Sequence, residues 1–116
     1  MNDELEDRLK ESEALAAGAV IDCEDGWYDL VQALLSCVET KDARIRKIYK
    51  KGGLLEVDFL SLGSSPDFNM GVAKAFREMS HGVCDMCGNK GMLSKKNAEY
   101  RVLCVDHVDS EGFSLF

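Results

Sequence analysis

Proline and histidine are nearly absent from this chain: Pro66 is the one proline, and His81 and His107 are the two histidines, in 116 residues. With so little proline and no low-complexity tract, the chain has no stretch that reads as a linker or a disordered tail. It should fold almost throughout, as a single domain spanning residues 1–116. Two histidines leave little for acid–base chemistry. A Ser/His/Asp set, a glycine loop able to cradle phosphate and a pairing of histidine with carboxylates are also missing, which points away from an enzyme. No apolar run approaches the length that spans a bilayer, and the acidic first residues are the opposite of a signal peptide. The expected location is therefore the cytoplasm, with no membrane partner. A composition that is 46% hydrophobic supports only a modest core, and a structural metal would help a domain this small.

Cysteine, by contrast, is frequent. Cys84-x2-Cys87 is followed by Gly88, then sixteen intervening residues separate Cys87 from Cys104-x2-His107. Three thiolates and one imidazole at this spacing can close a tetrahedron around one zinc ion. Gly88 fits a tight knuckle, where the backbone turns N–H groups toward sulfur and needs a residue tolerant of positive φ. In a reducing compartment the other cysteines, Cys23 and Cys37, read as small buried hydrophobes and not as half-disulfides. Four protein ligands leave zinc no open position. The expected cofactor is a structural Zn2+ held by Cys84, Cys87, Cys104 and His107, with no catalytic residues.

Charge is distributed unevenly. Residues 1–30 carry ten acidic side chains against Arg8 and Lys10, and the remainder carries eleven acidic against twelve basic, within a net charge of −7. Such an acidic segment repels DNA and attracts basic surfaces. Asp3, Glu4, Glu6, Asp7, Glu11, Glu13, Glu24 and Asp25 are the candidate partner-binding residues.

Periodicity gives an α+β fold: a β-hairpin sheet packed by two to three helices, with a C-terminal zinc ribbon. An acidic helix is expected over residues 3–17, an α-β-β-α core over 25–82 and the ribbon over 83–108. Trp27, Leu30, Val31, Leu34, Leu35 and Val38 form the clearest apolar helix face, with Asp25 as its expected cap and Cys37 on its edge. Residues 44–50 and 54–62 alternate as two strands around Lys51-Gly52-Gly53. Arg44, Arg46, Lys47, Lys50 and Lys51 cluster there, either as a phosphate-binding track or as the lysine-protected edge of a sheet. Ser65-Pro66 starts another helix, with Phe68, Val72, Ala75, Phe76 and Met79 as its expected buried face and His81-Gly82 as its end. A short strand, Tyr100 to Leu103, delivers Cys104. The apolar tail from Gly112 to Phe116 either packs back or stays exposed.

The order Gly26-Trp27, Lys51-Gly52-Gly53-Leu54, Cys84-x2-Cys87-Gly88 and Leu103-Cys104-x2-His107 resembles a group of small uncharacterised phage and prophage proteins. These share a Gly-Trp helix, a Lys-x-Gly-Gly-Leu hairpin and a terminal Cys-x2-Cys-Gly…Cys-x2-His ribbon. The likeness covers about residues 25–107 and implies a phage accessory protein with a zinc ribbon. It carries no activity with it. In this chain Leu-Glu-Val-Asp-Phe stands where the group has a more basic, aromatic strand.

Three functions follow as expectations. The first is a non-enzymatic module that binds a host protein or ribonucleoprotein complex through its acidic surface, in the manner of an anti-CRISPR inhibitor of host defence. The second is a nucleic-acid-binding regulator that uses the basic hairpin. The third is a degenerate HNH-type nuclease, suggested by Asp106-His107 beside a Cys-x2-Cys knuckle. The nine residues that follow His107 hold no histidine or asparagine to serve as further ligands.

Overall fold

The computed structural model describes residues 1–115. Its order is α1 (Asp3–Leu9), β1 (Leu15–Asp22), a 3₁₀ turn (Asp25–Trp27), α2 (Tyr28–Cys37), β2 (Ala43–Lys51), β3 (Leu54–Leu62), α3 (Pro66–Ser80), β4 (Met92–Lys96), β5 (Glu99–Leu103), α4 (Val105–Ser110) and β6 (Ser114–Leu115). The class is α+β, with two three-stranded sheets, β1-β2-β3 and β5-β4-β6. Among the described residues no helix is long and apolar enough to cross a membrane.

The expected helix over 3–17 stops at Leu9, and Leu15–Asp22 is a strand. Three alanines and a glycine disguise it, because these residues have low strand propensity. Pairing decides the outcome: β1 lies parallel to β2, with its register broken between Leu15 and Val20, around Gly18 at φ 75. Leu15, Ala19 and Ile21 are buried. The basic strand β2 is consequently the centre of its sheet and not an edge. Gly52 and Gly53 both have positive φ, as a two-residue type I′ hairpin turn requires.

α2 buries Val31, Leu34 and Leu35 in the core it shares with the first sheet and packs against α3, which runs along β3. Trp27 is fully buried as an anchor, its indole N–H donating to the Val83 carbonyl at 2.8 Å. Asp25 does not cap α2; its carboxylate accepts from the Asn2 backbone N–H at 2.7 Å and so ties α1 to this corner. Cys37 is exposed at the end of α2, and Cys23 is buried, which pushes its thiol pKa up to about 12.

α3 begins at Pro66 as expected but is rotated about its axis. Phe68, Ala75 and Met79 are exposed, while Asn69, Phe76 and Ser80 are buried. Polar side chains take these core positions because they bind backbone. Asn69 donates to the Glu39 and Leu62 carbonyls and accepts from the Glu39 N–H, and the Ser80 hydroxyl accepts from the Leu55 N–H. Ser65 makes no side-chain cap bond at the start of α3, and at its end the chain passes His81 in right-handed geometry, with Gly82 outside the left-handed region. The tail packs back through Phe113, which is buried, and Leu115 is exposed. Phe116 lies outside the described residues.

Candidate metal centre

Two short segments build the site. The first is the loop between α3 and β4, where the Cys84 N–H donates to the Asn89 carbonyl at 2.8 Å and the Gly88 N–H returns to the Cys84 carbonyl at 3.0 Å. The loop closes on itself because Gly88 adopts φ 81, which is open to glycine at no steric cost. The second is the junction of β5 and α4. Cys104 is the N-cap of α4, and His107 lies one turn on.

These segments bring all four expected ligands together. The three Sγ atoms and the His107 ring nitrogen all lie within 4.8 Å of one another. A tetrahedral zinc with bonds of about 2.3 Å to sulfur and about 2.0 Å to nitrogen needs sulfur–sulfur edges of about 3.8 Å and sulfur–nitrogen edges of about 3.5 Å. Cys87 Sγ stands 3.7 Å from Cys104 Sγ, and His107 Nδ1 stands 3.6 Å from Cys84 Sγ and 3.2 Å from Cys104 Sγ. The donor set therefore fits a metal ion held through Nδ1 of the histidine. His81 is exposed at the end of α3 and is not in the cluster.

The thiols are poised unequally. Burial raises the pKa of Cys84, but N–H groups of Cys104, Cys87 and Met86 and the His107 ring outweigh it, leaving the pKa down at about 7. The Asn89 N–H favours the Cys87 thiolate, yet desolvation and the sulfurs of Cys84 and Cys104 hold its pKa above the ordinary thiol range. A bound cation reverses that penalty, since metal ligation deprotonates thiols outright.

Sequence reasoning missed the residue that locks this site to the rest of the fold. Asp85, inside the Cys-x2-Cys loop, is fully buried. Its carboxylate accepts from Arg101 at 2.7 and 3.1 Å and from Lys50 at 3.3 Å. The ion pair holds the Arg101 guanidinium above its usual pKa. The Asp85 carbonyl also accepts from the Gly26 N–H at 3.0 Å. A Cβ on Gly26 would fall 2.6 and 2.7 Å from the Asp85 carbonyl carbon and oxygen. Only glycine lets the start of α2 come this close to the metal loop. Nothing in the spacing marks Asp85 as special, because its partners lie 16 and 35 residues away in sequence.

The acidic candidates remain on the surface. Asp3, Glu4, Asp7, Glu11, Glu13, Glu24 and Asp25 are exposed, and Glu6 is half-buried against Lys10. The contact between Asn2 and Asp25 places the N-terminus of α1 beside the Glu24–Asp25 corner. The basic candidates do not form one track. Lys50 turns inward to Asp85, Arg46 pairs with Asp58 at 2.9 Å, Lys47 lies over the Tyr49 ring and Arg44 donates to backbone carbonyls. Lys51 is exposed at the hairpin turn. A scan against protein-family models, a search of curated proteins and a search of solved structures each give no match.

Proposed function

We propose that the bound ion is zinc, that its role is structural, and that the chain is a non-catalytic module acting through its acidic surface on a basic partner. One observation carries this reading: four protein ligand atoms converge within 4.8 Å. That set fills a tetrahedral zinc and leaves no place for water or substrate, and thiolate-rich donors suit zinc among the common divalent ions. The exposed carboxylates of α1 and of Glu24 and Asp25 then supply the surface that does the work. Basic protein surfaces that hold nucleic acid are the complementary partner. Together with the resemblance to phage proteins, this supports an inhibitor of a nucleic-acid-bearing host complex.

Elemental analysis of the purified chain should give about one zinc per molecule, as one Cys3His set requires. A pull-down from host extract should retain a partner whose recovery falls as salt rises. Replacing Asp7, Glu11 and Glu13 by Lys should lower that recovery at constant salt. A zinc-free folded chain refutes the first part of the reading. Retention indifferent to both salt and charge reversal refutes the second.

A further inference from the structure

The three sulfurs of the Cys3His cluster differ in their access to solvent. Cys87 is exposed, whereas Cys84 and Cys104 are buried. Cys84 is also clamped by its surroundings. Its own N–H donates to the Asn89 carbonyl at 2.8 Å, and the N–H of the next residue, Asp85, donates to the Val102 carbonyl at 2.9 Å. The Asp85 carboxylate is held in turn by Arg101 at 2.7 Å. Cys87 instead opens the exposed run 87–90. Its Sγ stands 3.7 Å from the Cys104 Sγ. A disulfide needs about 2.05 Å, so a shift of about 1.7 Å in a surface loop would join the two.

We propose that Cys87 is the redox entry point of this centre: hydrogen peroxide oxidises it, Cys104 captures the oxidised sulfur, and the metal ion leaves. This rests on the reading that zinc occupies the site. The Cys87 thiolate attacks one peroxide oxygen, the O–O bond breaks, and the sulfenic acid forms as hydroxide departs. The Cys104 thiolate then displaces hydroxide from that sulfur, giving the Cys87–Cys104 disulfide. Two thiolates, one hydrogen peroxide and two protons become one disulfide and two waters. The sulfurs give up two electrons and the peroxide takes them. Only Cys84 and His107 remain as ligands, half the set that a closed zinc site requires. Loss of the ion loosens the neighbouring core, because the Gly26 N–H is bonded to the Asp85 carbonyl inside the same loop at 3.0 Å. The disulfide keeps the two ligand segments tethered, so a dithiol and zinc restore the closed state. Cys37 is also exposed but lies outside the cluster and takes no part.

The test uses the full zinc-loaded chain carrying Cys37→Ser, treated near neutral pH with hydrogen peroxide in about tenfold excess. A zinc-sensitive dye should read about one ion released per chain. Digestion before aspartate and after lysine and arginine parts Cys84 from Cys87, and should yield residues 85–90 joined to 102–105. Exchange of the Gly26 amide with solvent should quicken. Dithiothreitol with added zinc should reverse all three changes. Cys87→His keeps four ligands and removes the exposed sulfur, so its zinc should leave at least about tenfold more slowly. Four results each refute the proposal and leave the zinc reading intact: zinc retained under peroxide, a disulfide through Cys84 in place of Cys87, a Cys87→His protein as fast as the parent, or an unchanged Gly26 amide. A chain that holds no zinc before peroxide is added refutes that reading, and this proposal with it.

Discussion

Replacing Asp85 by Asn should destabilise this protein more than any other change of a single charge. The substitution keeps the shape of the side chain and removes its charge. It leaves Arg101 and Lys50 facing an amide that can accept at one atom only. Asp85 has no exposed side-chain area, whereas Arg101 and Lys50 keep 13% and 23% of theirs. Removing one member of a fully buried ion pair costs about 3–5 kcal/mol, and the residual solvent on the two cations lowers the expectation here to about 2–4 kcal/mol. For a domain of this size that corresponds to a fall in Tm of about 8–16 °C. The measurement is thermal and urea unfolding in excess zinc, followed by circular dichroism. Arg101→Met made in the same background should be less harmful than in the parent, with a coupling of about 1 kcal/mol or more. An Asp85→Asn protein within about 0.5 kcal/mol of the parent, the scatter expected for an ordinary surface substitution, would refute the claim that this carboxylate joins the metal loop to the hairpin.

Other perturbations test neighbouring links. Cys87→Ser, Cys104→Ser or chelation should unfold the segment from residue 83 onward, since metal-binding free energy is folding free energy in such a module. Trp27 fluorescence should shift to the red at the same time, because the indole N–H is held by the Val83 carbonyl. Gly26→Ala should cost about 3 kcal/mol, because its new methyl group meets backbone that cannot yield; equal stability would mean that the two segments approach less closely. Cys23 gives a pH signature. Its pKa rises from 9.0 to about 12 on folding, so its contribution is complete below pH 9 and is lost as pH climbs toward 12. The slope is about 1.4 kcal/mol per pH unit. Cys23→Ala should be flatter than the parent over that window in urea titrations, and a parallel profile would count against the buried thiol.

What could be read from the sequence was whatever repeats on a local period. The Cys-x2-Cys and Cys-x2-His pairs, the Lys51-Gly52-Gly53 turn and the apolar face of α2 each lie within a dozen residues, and each fell where its pattern put it. β1 was hidden because Leu15-Ala16-Ala17 continues a helical pattern, and only pairing with β2, across α2, makes it a strand. The rotation of α3 was hidden for a related reason. Phe68 and Met79 look like core, yet Asn69 and Ser80 hold the inner positions through bonds to backbone in other elements. Apolarity alone cannot reveal that, since a buried polar group is tolerated when its partners are satisfied.

The Cys/His ribbon is joined to the core along a seam, and this governs what a bound ion would stabilise. The Trp27 indole and the Gly26 N–H bind the loop that carries Cys84 and Asp85 from one side. Lys50 reaches the same loop from the end of β2, and Gly53 at the hairpin turn sits so close to Tyr100 that a Cβ there would lie 3.0 Å from its carbonyl. Each contact joins the ribbon to an element that also packs in the main core. A ribbon on a free linker would keep its metal-binding energy to itself. Here the energy of closing the Cys3His cluster on an ion would reach the start of α2 and the β2–β3 hairpin. An ion held there would thus act as a fastener for surfaces that lie outside its own coordination sphere.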